Sequence, residues 1–400
     1  MGVLTYLRTS SLTLPLSIVL NFSPLPPLTT ILYLGKLGVY GELPRELVDP
    51  EDLRRRGCAP EFVRLYEEAL LAQRTGRREG LRNVLERSMR ELRTALDMMD
   101  YNVSTMVEVL SLVTIVVPLT LASVMVFVSP GSMLPAVTAS SLVGLVLTAL
   151  LGMYFVPWEL WLRRPRALSL APMLLGLPAY HLLGDAVLSL ALAVALSAPL
   201  VYLEQRRAVG VLDEALDLLS RATHSPNPVL AGVDLDDLLD RRFYGVSRAA
   251  TVTLYTLFTQ GGSKYYEGVA RLLAYVRDVA EAFRGLRRKA LQSFAYALVM
   301  AAMAAAAMAI IISVIEYMAS LPAPVSVSGV SLSPGDVTLV RAAMPAYIAL
   351  TSLSYAVAAA CMRDGNPLYF PLYLAAILPA SYAGYHLTLL YAPSMLGVGP

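Results

Sequence analysis

The sequence predicts an all-α polytopic membrane protein with about seven transmembrane helices and two cytoplasmic helical domains related by an internal repeat. Three observations predict it. Apolar residues make up 56% of the chain and come in long uninterrupted runs. Charged residues gather instead in two helix-patterned stretches, from about Gly41 to Thr105 and from about Glu204 to Ser293. A block beginning Glu79-Gly80-Leu81-Arg82 also returns as Glu267-Gly268-Val269-Ala270-Arg271, and each copy runs into an apolar segment.

Taken in order, residues 1–40 form an apolar N-terminal segment whose run from Ser11 to Leu20 is short and is followed by Pro24, Pro26 and Pro27. Cleavage there as a secretory signal would export the Arg-rich block that follows, so the segment reads as an interfacial or packed helix. Residues 41–105 form the first cytoplasmic helical domain, and residues 106–203 hold transmembrane helices one to four. A spanning helix needs about 20 mostly apolar residues. The segments Val107 to Val128 and Leu134 to Val156 meet that length, whereas Leu168 to Leu183 and Ala186 to Tyr202 are short enough to form a tight or re-entrant hairpin around Gly184-Asp185. Residues 204–293 form the second cytoplasmic domain, with one helix over Val211 to Leu219, a break at His224-Ser225-Pro226-Asn227-Pro228 and helical stretches at Asp234 to Leu239 and Ala249 to Phe258. Transmembrane helix five occupies 294–316, an external loop 317–341, and helices six (Ala342 to Cys361) and seven (Phe370 to Leu390) lie within 342–400.

Orientation follows from the basic residues, which favour the cytoplasmic side of short loops. Arg54 to Arg56, Arg163, Arg164, Arg166, Arg206, Arg207, Arg284, Arg287, Arg288 and Lys289 all fall on one side when seven spans are threaded alternately. Arg341, at the outer end of span six, is the exception. The amino terminus is then cytoplasmic and the carboxyl terminus external.

Both copies of the repeat carry an amphipathic stripe. Leu81, Val84, Leu85, Leu92 and Ala95 align with Val269, Leu272, Leu273, Ala280 and Phe283, in the i, i+3, i+4 rhythm of a helix with one face to bury. Arg82, Arg87 and Arg90 lie opposite in the first copy, and Arg271, Arg277 and Asp278 in the second. Glycines precede each: Gly76 and Gly80, then Gly261, Gly262 and Gly268, as suits a turn that aims a helix into a bundle.

Chemistry is sparse. Gly261-Gly262-Ser263-Lys264 lacks the adjacent Gly-Lys and earlier glycine of a phosphate-binding loop. The acidic run Asp234, Asp236, Asp237 and Asp240 has spacing that could hold a divalent cation, but on a helix it reads as a first-turn or partner-docking face. His181, His224 and His386 are dispersed, and Cys58 and Cys361 form neither a disulfide framework nor a zinc site. No catalytic constellation, cofactor motif or metal set emerges, and a net charge of +2 gives no reason to expect nucleic-acid binding. Glu108, Asp185 and Glu316 read as boundary residues of spans that carry almost no charge at mid-depth. In span five, Ala301, Ala302, Ala304 to Ala307 and Ala309 make a small-residue surface for close helix approach, within the chain or across a homodimer.

This layout resembles the type II secretion F-domain platform proteins, which include the membrane platforms of archaeal type IV pili and the archaellum. Three features carry the resemblance: two cytoplasmic domains each entering the membrane, Gly261-Gly262 before a long amphipathic helix, and Arg284, Arg287, Arg288 and Lys289 before span five. It covers about Glu61 to Ile315 and, more loosely, the last two spans; Arg77 stands where the second glycine of the first copy would be. The resemblance implies a non-enzymatic membrane protein that sits in lipid over a cytoplasmic hexameric secretion ATPase and moves pilin-like subunits into a filament. The charged faces around Arg82, Arg87, Arg90, Asp234, Asp237, Arg271 and Arg277 are the expected ATPase contact. The alternative is a seven-span transporter of small molecules or ions, which an intramembrane charge or a discontinuous helix would favour.

Overall fold

The computed structural model describes residues 2–128, 132–155, 162–320, 326–327, 330–331 and 334–395. Fifteen α-helices account for most of them, and the strands among the described residues are one antiparallel pair, Ser326–Val327 with Val330–Ser331. That pair falls within the expected external loop, most of whose remaining residues, like the last residues of the chain, lie outside the described set. The chain divides into two compact units. Unit 1 comprises Met1–Asp97 with Arg207–Gly285, and unit 2 comprises Met98–Arg206 with Leu286–Pro400. The N-terminal segment and most of both charged stretches, which the sequence divides into three, thus pack as one body.

Unit 1 is built around two helices with little exposed surface. In α1 (Gly2–Phe22), Leu12, Leu14, Leu16, Ile18, Val19 and Leu20 are all core residues, as a helix apolar on every side must be inside something. Its hydroxyls are tolerated there because they bond within the helix: Thr13 donates to the Thr9 carbonyl at 3.1 Å and Ser17 to that of Leu14 at 2.8 Å. The N-terminal segment is therefore a packed helix. Pro27 opens α2 (Pro27–Leu37), which ends at Gly38 in the left-handed region. Next come α3 (Pro50–Arg55) and α4 (Pro60–Thr75), and then α5 (Glu79–Ser111), which supplies residues to both units.

The later part of unit 1 runs through helices in a similar order. Following α10 (Ala186–Ala222) come the short α11 (Leu235–Leu238), the 16-residue α12 (Gly245–Gln260) and the long α13 (Tyr265–Ser320). The match extends to detail. Asp49 and Asp234 each cap their short helix by accepting a backbone N–H two residues on, both at 3.0 Å. Leu53 and Leu238 are both buried beneath those turns, and α4 is also 16 residues long. α12 is the second enclosed helix, and α1 packs along it and along α4.

Unit 2 holds the apolar helices: α6 (Val117–Val128), α7 (Met133–Phe155), α8 (Ala167–Leu170), α9 (Gly176–Leu183), α14 (Pro334–Asp364), α15 (Phe370–Met395), and parts of α5, α10 and α13. Among the described residues, five helices are long and apolar enough to cross a membrane; they correspond to expected spans one, two, four, five and six. The third expected span is broken into α8, a five-residue 3₁₀ segment Ala171–Leu175 and α9. Because a 3₁₀ turn rises about 2.0 Å per residue against about 1.5 Å in an α-helix, the whole reaches roughly 28 Å, close to a bilayer core of about 30 Å. α15 carries no charge, but its tyrosines, prolines and His386 leave it less apolar than the others.

α14 is the centre of unit 2: 78% of its apolar window is buried, against 22% for the first span. It lies chiefly against α7 and α15. The alanine face of α13 is also used inside the unit, since a Cβ on Gly384 of α15 would stand 2.8 Å from the Ala302 carbonyl oxygen. Close approach of a helix to that face is thus found within the chain. Arg341, the exception to the charge rule, pairs with Glu316 at 3.0 Å.

Candidate functional site

The two glycine turns differ in construction. Gly76 ends α4 at φ +73°, where a side chain would be strained, and α5 starts three residues later. In the second copy both glycines are required: a Cβ on Gly261 would collide with the Leu257 carbonyl, and Gly262 has φ +50°. Gly262–Lys264 then form a single 3₁₀ turn leading into α13. The segment that superficially matched a phosphate loop is therefore a helix junction. Gly80 and Gly268 each sit where a helix approaches closely. A Cβ on Gly80 would run into the Glu68 carboxylate of α4, and one on Gly268 would stand 2.7 Å from Cδ2 of Leu257 in α12.

Both predicted stripes face the core. Leu81, Leu85 and Leu92 are buried in α5, as are Val269, Leu272, Val276, Val279 and Ala280 in α13. The opposite faces are exposed and the arginines on them fall into two classes. Arg82 pairs with Glu86 at 2.9 Å, Arg87 with Glu91 at 2.8 Å, and Arg271 with Glu267, all one turn apart on their own helices. Such exposed pairs are screened by solvent and add little to the helix. Arg90 and Arg277 are exposed and make no ion pair among the described residues.

The acidic run does not converge on a point. Asp234 is spent as a helix cap, and Asp240 accepts the Arg242 backbone N–H at 3.0 Å. Arg242 spans the rest, reaching Glu214 at 3.0 Å and Asp237 at 3.6 Å, so it ties α10 to the turn after α11. Among the described residues no group of three or more His, Cys, Asp or Glu could hold a metal ion.

Long-range partners supply what the sequence did not reveal. Arg284 of α13 bonds Asp213 of α10 at 2.5 Å. Arg78 donates to the carbonyls of Ser23 at 3.1 Å and Leu25 at 2.9 Å, fixing the proline break before α2, and partial desolvation lowers the guanidinium pKa. In unit 2, Asp364 is 1% exposed at the end of α14. Its Oδ2 accepts from Gln205 Nε2 at 2.7 Å and from the Tyr373 hydroxyl at 2.6 Å. Its backbone carbonyl accepts from Leu162 N at 3.0 Å, Asn366 Nδ2 donates to the Leu162 carbonyl at 3.3 Å, and the Tyr369 hydroxyl donates to that of Arg163 at 2.8 Å. A carboxylate, two amides and two tyrosines thus staple three chain segments together. An acidic residue closing an apolar run, followed by Gly365-Asn366-Pro367, was the available signal.

No protein-family model matches the chain, and no similar protein was found among curated sequences or solved structures.

Proposed function

We propose that the protein is a cell-membrane platform for a type IV filament or related secretion machine, coupling a cytoplasmic secretion ATPase to the insertion of pilin-like subunits. The observation that carries this reading is the matched pair α4–α5 and α12–α13. In each, a 16-residue helix and a glycine turn precede a long helix with one buried stripe and one charged face. The two long helices supply residues to both units without interruption at the unit boundary, the arrangement required to pass a rigid-body displacement along an element. The matched order, down to the two aspartate caps, supports an internal duplication running from α3 into α5 and from α11 into α13. Seven spans, a cytoplasmic amino terminus and an external carboxyl terminus belong to the same reading. The basic segments around Arg163 and Arg206 share the Asp364 staple region, which supports that threading.

The test uses Arg90 and Arg277, because reversing them breaks no ion pair among the described residues. With both changed to Glu, co-purification with an ATPase encoded beside this gene should be lost while membrane insertion persists. Undiminished binding by the double variant would remove the partner-contact assignment.

A second reading, a transporter, gains from one observation: the third expected span is interrupted by the 3₁₀ segment Ala171–Leu175, as a substrate-binding helix of that class would be. Purified protein in liposomes that takes up a solute, with no ATPase required for its biological role, would favour it.

A further inference from the structure

The helix through span one widens at Leu112–Val116, and the widening has an identifiable cause. Residues Leu112–Val116 form a π-turn between α5 and α6, in which the Val117 N–H bonds the Leu112 carbonyl. In an unbroken α-helix the Thr114 carbonyl would accept from residue 118, which is Pro118 and has no N–H. The proline ring would also press on that same carbonyl. One extra residue in the turn relieves the clash and leaves the Thr114 carbonyl in need of a donor.

α14 supplies it. The Tyr347 hydroxyl donates to the Thr114 carbonyl at 2.9 Å. Two turns on, the Tyr355 hydroxyl lies 3.2 Å from Thr114 Oγ1, which itself donates to the Leu110 carbonyl at 2.7 Å. All three side chains are completely buried. Opposite, α7 makes room for the wider turn with Gly144, whose added Cβ would stand 3.1 Å from Thr114 Cγ2. Between the tyrosines on the same face of α14 sits buried Thr351, whose hydroxyl stands beside that of Tyr347. It is an alternative partner for a tyrosine hydroxyl that lets go.

The geometry points to a latched hinge: α6 pivots on the membrane part of α5 at Leu112–Pro118, and Tyr347 and Tyr355 of α14 hold it in the position seen here. Release exchanges the bonds to Thr114 for others within the same hydroxyl cluster, so the two positions differ by little more than a hydrogen bond or two. The hinge is independent of which biological role above is correct, because it is read from distances and not from activity.

Pulsed electron paramagnetic resonance on the full-length protein in bilayers tests it, with spin labels on Tyr101→Cys and Val124→Cys and with Cys58→Ser; buried Cys361 stays. A single distance population is expected with the tyrosines intact. Tyr347→Phe with Tyr355→Phe should add a second, and further Pro118→Ala, which returns an N–H to pair with the Thr114 carbonyl, should abolish it. A single unchanged population in the double variant overturns the hinge, as does a second population that Pro118→Ala leaves in place. Should the double variant fail to fold, Tyr347→Phe alone should speed amide exchange over Leu112–Val117 roughly tenfold, the equivalent of one hydrogen bond of about 1.4 kcal/mol. Unchanged exchange there counts equally against it.

Discussion

At the scale of single residues, the two glycines that open the long helices look equivalent in sequence and are not equivalent in space. Gly80 faces the end of a flexible carboxylate on Glu68, which can swing toward water. Gly268 faces a branched methyl of Leu257, a side chain 1% exposed in the centre of unit 1. Adding a methyl group to a packed core costs about 1–3 kcal/mol, whereas replacing glycine by alanine within a helix gains up to about 1 kcal/mol. Gly268→Ala should therefore lower the melting temperature of the purified protein and Gly80→Ala should leave it unchanged or raise it. Equal losses in both would mean that Glu68 is held in place by more than its own flexibility. Burial affects ionisation at this scale as well: Tyr40 and Tyr275 have their phenol pKa values pushed up by desolvation, against the opposing charges of Arg248 and Arg93 respectively, so both stay neutral in any ordinary buffer.

At the scale of elements, Asp234 separates two explanations that the sequence leaves open, a helix cap and a partner contact. Asparagine caps a helix as well as aspartate does but carries no charge, while alanine does neither. Asp234→Ala should cost about 1 kcal/mol in unfolding free energy. Asp234→Asn should cost little and leave partner binding intact; loss of binding with stability retained would restore the contact role. The amphipathic helices were legible because a stripe at helical spacing announces both the element and the face it buries, as Leu81, Leu85 and Leu92 do. α1 and α12 were harder to place because they lack a polar face: one reads as membrane-like, and the other mixes alanine and threonine whose hydroxyls fold back onto their own helix. The π-turn was hidden for a different reason. Pro118 is visible in the sequence, but a proline alone does not say whether a helix kinks, ends or widens, and the donor that decides it lies 233 positions away. The Asp364 staple is likewise made by a glutamine 159 positions distant. Charge pairing one turn apart on α5 was within reach of the sequence; the link from Arg284 to Asp213 was not.

At the scale of the whole molecule, the sidedness of the chain can be argued from bonds as well as from basic residues. The staple in unit 2 requires the segment at Leu162 and Arg163, the end of α14 and the start of α15 to share one edge, because Leu162 N bonds the Asp364 carbonyl and the side chains of Asn366 and Tyr369 bond the carbonyls of Leu162 and Arg163. Gln205 brings the apolar part of α10 to the same edge. The charge rule puts Arg163, Arg164, Arg206 and Arg207 on one face of the membrane by an unrelated argument, and the two agree. Arg341 does not disturb that agreement, since Glu316 beside it cancels its charge where the ends of α13 and α14 meet. A cysteine placed at Arg164 and another at Arg363 should therefore react with a membrane-impermeant maleimide from the same side, and one at Arg341 from the opposite side. With Cys58→Ser and buried Cys361 left in place, each reaction can be read in intact cells and again in inverted vesicles. Labelling of Arg164→Cys and Arg363→Cys from opposite faces would mean that the staple is not formed in the membrane. Same-side labelling at Arg341 would mean that α14 does not cross, and the seven-span threading would fail with it.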